Sequence, residues 1–308
     1  MKYIKLSNEV MMPIMGLGTW QSAAGEVYQA VRWALKLGYR MFDCAAVYGN
    51  QAEIGQAFSD AIREDGIKRE ELFVISKLWN DAHQVEDVQP ALKQTLKDLQ
   101  LEYLDLYLIH WPVAQKKGTI IPEKAADFIS PEELPLNITW AEMEKIYNNG
   151  QAKAIGVSNF SQTKLQDLAA KVEIMPMVNQ IEIHPLLQQE ELVKWSAKNN
   201  IVTMAYSPLG SAKAGDKKTI LHNVVIEDIA KRVNATPAQV VLSWEMSRGL
   251  IVIPKSVHEE HLRENFAAQN VELDKEDIAK INALDEGYRF VDGEVFSIPG
   301  SGYENLWM

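Results

Sequence analysis

The sequence predicts an α/β protein whose core is a closed (β/α)8 barrel, and three observations carry that prediction. Eight short apolar runs recur along the chain. Segments with helical periodicity fill most of the gaps between them. Run starts fall ~25 to 50 residues apart, the size of a βα unit with optional insertions. The runs are 14–20 (IMGLGTW), 39–45 (YRMFDCA), 72–79 (LFVISKLW), 104–111 (LDLYLIHW), 152–159 (AKAIGVSN), 177–183 (MVNQIEI), 202–209 (VTMAYSPL) and 250–256 (LIVIPKS). Their centres are rich in Val, Ile, Leu, Phe and Tyr and lack clean polar alternation, the pattern of strands covered on both faces. Eight such units with intervening helices close most simply into a parallel barrel.

The elements follow in order. Residues 1–13 read as a hairpin, with strands 3–6 and 10–13 around Ser7-Asn8-Glu9, placed to plug the barrel bottom. The segment 25–38 has Val27, Ala30, Val31, Ala34 and Leu35 on one helix face, and Gly38 stands where a C-cap glycine belongs. The segment 51–65 repeats the pattern with Ile54, Ala57, Phe58, Ala61 and Ile62. Helices are also expected over 85–100, 139–150, 161–171 and 189–200, with Ser161 as an N-cap. Two stretches break the repeat: a Pro-containing connection at 112–138 and an irregular tail at 286–308 carrying Phe290, Phe296, Tyr303 and Trp307. Long loops in compact domains are often functional, and the loop after strand four rises from the C-terminal face, where barrel active sites lie. Residues 1–308 are read as one domain.

Bulk properties exclude several classes. A net charge of −11 over 308 residues disfavours nucleic acid and anionic membranes as partners. Cys44 is the single cysteine, so no internal disulfide forms. The N-terminus has no apolar signal core, and no apolar run reaches the ~18 to 20 residues of a membrane span. A cytoplasmic location is expected.

Asp43, Tyr48, Lys77 and His110 stand at or just beyond the ends of three successive strands. Each has a bland reading: a rim tyrosine, a buried Lys77–Asp43 ion pair, a core histidine. Together they form an acid–base set. Asp43 would keep Lys77 charged, Lys77 would draw the Tyr48 pKa down from about 10, Tyr48 would exchange a proton with an alkoxide, and His110 would orient and polarise a carbonyl. Such a set needs a hydride source. The chain has no GxGxxG, so a Rossmann cofactor domain is not supported. Other strand ends have suitable groups. Ser158, Asn159 and Gln180 can grip a carboxamide, and Tyr206 can stack on a flat ring. Backbone N–H groups around Gly210 suit a pyrophosphate, and Lys255 with Ser256 before a helix suits a phosphate. The histidines, His184 included, lack metal-ligand spacing, so no metal is expected.

The segments MGLGTW, FDCAAVYGN, SKLW, LIHWP, IGVSNF, NQIEIHP, AYSPLGS and IPKS together resemble the aldo-keto reductase superfamily, nearest to its aldose, aldehyde and xylose reductase branch. The resemblance implies a TIM barrel that binds NADPH across its C-terminal face and reduces a small carbonyl compound, as a monomer. It implies a catalytic tetrad of Asp43, Tyr48, Lys77 and His110. Cofactor contacts are implied for Gly18, Thr19, Trp20, Asp43, Ser158, Asn159, Gln180, Tyr206, Ser207, Leu209, Ser211, Lys255, Ser256, His261, Glu264 and Asn265. Trp20, Trp79 and Trp111, with Tyr48 and His110, are implied around the substrate, and the 112–138 loop and the tail complete the walls. His261 stands where the family pattern has Arg, which weakens the grip on a 2′-phosphate and admits some NADH. The 212–218 stretch AKAGDKK also departs from the family wording. The alternative is a non-catalytic, cofactor-binding regulatory protein on the same fold, which an intact tetrad disfavours. A carbon–carbon double-bond reductase is disfavoured by His110, because that branch has Glu there.

Overall fold

A computed structural model describes residues 2–211 and 219–308. The eight expected strands all form: β1 (Leu17–Gly18), β2 (Met41–Asp43), β3 (Phe73–Leu78), β4 (Leu106–Ile109), β5 (Ile155–Ser158), β6 (Val178–Glu182), β7 (Val202–Tyr206) and β8 (Ile251–Val252). They pair in chain order as one parallel sheet. Parallel bridges Met15↔Val252 and Gly18↔Lys255 join its first and last strands. The Gly18 N–H donates to Pro254 O at 3.1 Å across this seam. A Cβ at Gly18 would stand 2.8 Å from Ile253 O, so the closure requires glycine there.

Ten helices surround the sheet among the described residues: α1 (Glu26–Leu37), α2 (Gln51–Glu64), α3 (Val85–Leu99), α4 (Leu136–Asn148), α5 (Gln162–Ala169), α6 (Glu190–Lys198), α7 (Val224–Val233), α8 (Pro237–Ser247), α9 (Glu259–Ala267) and α10 (Lys275–Asn282). Gly38 caps α1 at φ 104°, and its N–H reaches Ala34 O and Leu35 O. Ser161 caps α5 by accepting the Lys164 N–H. Helix α4 starts at Leu136, three residues before the expected start at 139, so the preceding connection ends at 135. That connection is also more ordered than expected, because Ala114–Gln115 pairs antiparallel with Phe128–Ile129. Helix α8 was not specified from the sequence. Ala238, Val240, Val241, Leu242 and Trp244 are all buried, so it shows no amphipathic stripe.

Strand alternation sorts the core into two layers. Phe42, Val74, Tyr107, Ile109, Val157 and Ile181 face the helices. Met41, Phe73, Ile75, Leu106, Leu108, Val178, Met204 and Ile251 fill the barrel interior. Leu6 and Met12 of the N-terminal hairpin (Tyr3–Lys5 paired with Met11–Pro13) join the interior cluster. Followed along the inner face, each row turns from apolar to polar towards the C-terminal mouth. Phe73 and Ile75 lead to Lys77, Leu106 and Leu108 to His110, and Val178 to Gln180 and Glu182. The polar groups sit at the strand ends above an apolar interior.

Candidate active site

Lys77 is fully buried and uses its three N–H bonds on three acceptors. Its Nζ lies 2.7 Å from Asp43 Oδ2, 3.0 Å from Cys44 O and 3.2 Å from the Tyr48 hydroxyl. Lysine has only donors, so the Tyr48 oxygen accepts and its own proton is free to point elsewhere. Asp43 Oδ1 accepts from Gln180 Nε2 at 2.7 Å, which gives this buried carboxylate a partner on each oxygen. The His110 ring meets Tyr48 edge-on at 5.7 Å and Trp79 at 5.0 Å between centroids. The four expected residues therefore converge, and the ion pair anticipated as the bland reading is also present.

One electrostatic expectation is corrected. The Tyr48 phenol is pushed well above its ordinary range, chiefly by burial and then by the Asp43 charge. Burial and the Asp43 charge outweigh the ammonium 3.2 Å away. Tyr48 thus stays a neutral phenol. Burial, with help from Lys77 and His83, holds His110 well below its usual range, so its imidazole is neutral too. His110 Nδ1 has no hydrogen-bond partner among the described residues.

A cavity of about 740 Å³ opens over this cluster. Of the expected contacts it is lined by Gly18, Trp20, Asp43, Tyr48, Trp79, His110, Trp111, Ser158, Asn159, Gln180, Tyr206, Ser207, Leu209, Ser211 and Lys255. Ser158 Oγ donates to Gln180 O at 2.8 Å, Asn159 Nδ2 to His110 O at 3.0 Å, and the Tyr206 hydroxyl to Asn159 Oδ1 at 2.8 Å. The remaining expected contacts are elsewhere. Thr19 is buried with its hydroxyl on Asp43 O. Ser256 is buried and bonds to His258. Glu264 is engaged by Thr236 and Gln239, Asn265 is buried, and His261 is exposed beside the His258 ring. Gly210, by contrast, does line the cavity, but its N–H, expected to face a pyrophosphate, donates to Ser207 O inside its turn. The stretch 212–218 lies outside the described residues.

The walls come from segments without strand or helix periodicity. Ile120 and Ile121 of the loop after β4 line one side, and Trp79 Nε1 holds that loop through Ile120 O at 3.2 Å. Val291, Gly293, Val295 and Phe296 of the tail line the other. The Phe296 ring lies 5.0 Å from Trp111 and 6.2 Å from Trp79. The Tyr303 hydroxyl ties tail to loop by accepting the Ala114 N–H and donating to Ile129 O. Of these wall residues only Phe296 was singled out from the sequence, as one of the tail aromatics. Ile120 and Ile121 carry no local signal beyond two apolar side chains in a polar loop. Among the described residues no group of three or more His, Cys, Asp or Glu could hold a metal ion. No helix there is long and apolar enough to cross a membrane.

Fold and cavity define an α/β barrel with a buried acid–base cluster at its C-terminal mouth. Residues 14–286 match the Aldo/keto reductase family. An aldo/keto reductase of Synechocystis sp. is 46% identical, over 100% of this chain and 96% of its own length. Aldo-keto reductase family 4 member C11 of Arabidopsis thaliana is 42% identical over 99% and 97%. The solved structure of the aldose reductase from Schistosoma japonicum superimposes with a TM-score of 0.88, at 40% identity and 94% coverage of both chains. The chain belongs to the aldo/keto reductase family.

Proposed function

We propose that the chain is an NADPH-dependent reductase of aldehydes and ketones, with Tyr48 as the proton donor. The observation that carries this reading is the Tyr48 hydroxyl, half-buried at the cavity floor and accepting from Lys77 at 3.2 Å while Asp43 balances the ammonium. The phenol keeps its proton because ionisation is penalised, so it can give that proton to a developing alkoxide. A neutral His110 beside it can hold the carbonyl oxygen by a hydrogen bond without adding charge to a buried site.

The cavity fits a nicotinamide cofactor by volume and by donor set, since ligand pockets run about 300 to 1,000 Å³. Ser158, Asn159 and Gln180 would hold its carboxamide, Tyr206 would stack on its ring, and Ser207, Leu209, Ser211 and Lys255 would follow its phosphates. Bound there, the reduced cofactor supplies the hydride. The apolar walls exclude water from that transfer. Lys255, which lines the cavity, favours the 2′-phosphate of NADPH, while His261 in place of Arg leaves room for some NADH.

The test is NADPH oxidation with a reactive aromatic aldehyde, followed by absorbance, beside direct titration of both cofactors. Turnover with tighter NADPH than NADH binding is expected. Folded protein that binds NADPH yet turns over none of a carbonyl panel would instead be a cofactor-binding protein.

A further inference from the structure

We propose that Glu182 and His184 are positioning residues that fix the inner end of the C-terminal wall and so set which carbonyl substrates the cavity admits. The proposal deepens the reductase reading and rests on it for the substrate part alone. Glu182 ends β6 on the inward row, two residues beyond Gln180, and is fully buried. A buried carboxylate is retained only with partners. Its partners are two successive backbone N–H groups of the tail, Phe290 to Oε1 at 2.6 Å and Val291 to Oε2 at 2.8 Å. His184 Nε2 lies 2.8 Å from Oε1, where an N–H donates to the same carboxylate, and the His184 ring packs edge-on against Phe290 at 4.9 Å.

This contact is more than a surface tie. Residues 289–293 belong to no strand or helix, so the carboxylate stands where a sheet partner would otherwise receive those N–H groups. Just before it, Glu286 and Tyr288 donate their N–H groups to Leu186 O. Holding both oxygens against residues 290 and 291 fixes the direction in which the chain enters the cavity. Val291, Gly293, Val295 and Phe296, all cavity-lining, follow at once. Gln180 on the same row holds Asp43 at 2.7 Å, so one strand edge positions both the acid–base cluster and the specificity wall.

The first test is amide hydrogen exchange in the wild-type protein, which needs no turnover. Phe290 and Val291 should exchange as slowly as the β6 amides, and exchange at open-loop rates would overturn the clamp. The second is Glu182→Gln, whose amide sets an N–H against one of the two tail N–H groups. KM for a bulky apolar aldehyde should rise about tenfold or more, on the scale of one lost charged hydrogen bond. For a small aliphatic aldehyde kcat and KM should move less than about twofold, with NADPH affinity unchanged. A uniform loss across substrates, or no change for any, would contradict the proposal. If the wild type turns over no carbonyl, the reductase reading fails while the exchange result still decides the clamp.

Discussion

The floor and the walls of the cavity are built on opposite principles. The floor is polar, and its groups stand on a barrel strand or shortly beyond its end, most of them paired with neighbours: Asp43 with Lys77 and Gln180, Asn159 with His110 O and Tyr206. The walls are apolar and come from the loop after β4 and from the tail, held by scattered ties such as Tyr303 and Glu182. Chemistry demands placement to within fractions of an ångström, which rigid strands give. Substrate choice demands shape, which loops can vary without disturbing the barrel. Damage to the floor should therefore cost stability and turnover together, and damage to the walls should change substrate affinity alone.

The largest expected effect is at the floor. Lys77→Met leaves Asp43 buried without its cation, which costs on the order of 3–5 kcal/mol. Denaturant unfolding should show that loss, and turnover should fall at least a hundredfold. A stable, active variant would break the contrast between floor and wall.

Acid should reveal the same buried floor. Burial holds His110 well below its ordinary range and pulls His83 down to about 3. Both are neutral when folded, whereas the unfolded chain takes up protons below about pH 6.5. The unfolded state then binds more protons, so stability is full above about 6.5 and declines as pH falls towards about 3. Denaturation midpoints measured through that window should slope downward, and His83→Gln should flatten the slope.

At the wall, Phe296→Ala removes the ring that meets Trp79 and Trp111. KM for aromatic aldehydes should rise about tenfold, on the scale of one lost apolar contact surface, with NADPH affinity unchanged in a direct titration. The smallest effect lies outside the cavity: His261→Arg, at an exposed position, should tighten NADPH about two- to fivefold and leave NADH unaffected.

The same contrast explains what was legible in the sequence. Lys77 inside FVISKLW stood out because a lysine within a buried strand needs a partner, and Asp43 ended the strand beside it. Eight apolar runs of strand length made the barrel readable, and Gln180 stood out as an amide at a strand end. Tyr48 was found from sequence but its electrostatics were not, since the balance among burial, Asp43 and Lys77 depends on distances. Glu182 was unreadable because its partners are backbone N–H groups more than a hundred residues away. Ile120, Ile121 and Val295 are single apolar residues without periodicity. Helix α8 was hidden by being buried all round.

The most direct measurement compares wild type with Tyr48→Phe in a single turnover of NADPH with an aromatic aldehyde, beside NADPH titration of both proteins. If Tyr48 donates the proton, the rate falls by about 10²- to 10⁴-fold, the range of one positioned general acid, and NADPH affinity stays within about twofold. A Tyr48→Phe variant that reduces the aldehyde at the wild-type rate would contradict the role assigned to this tyrosine.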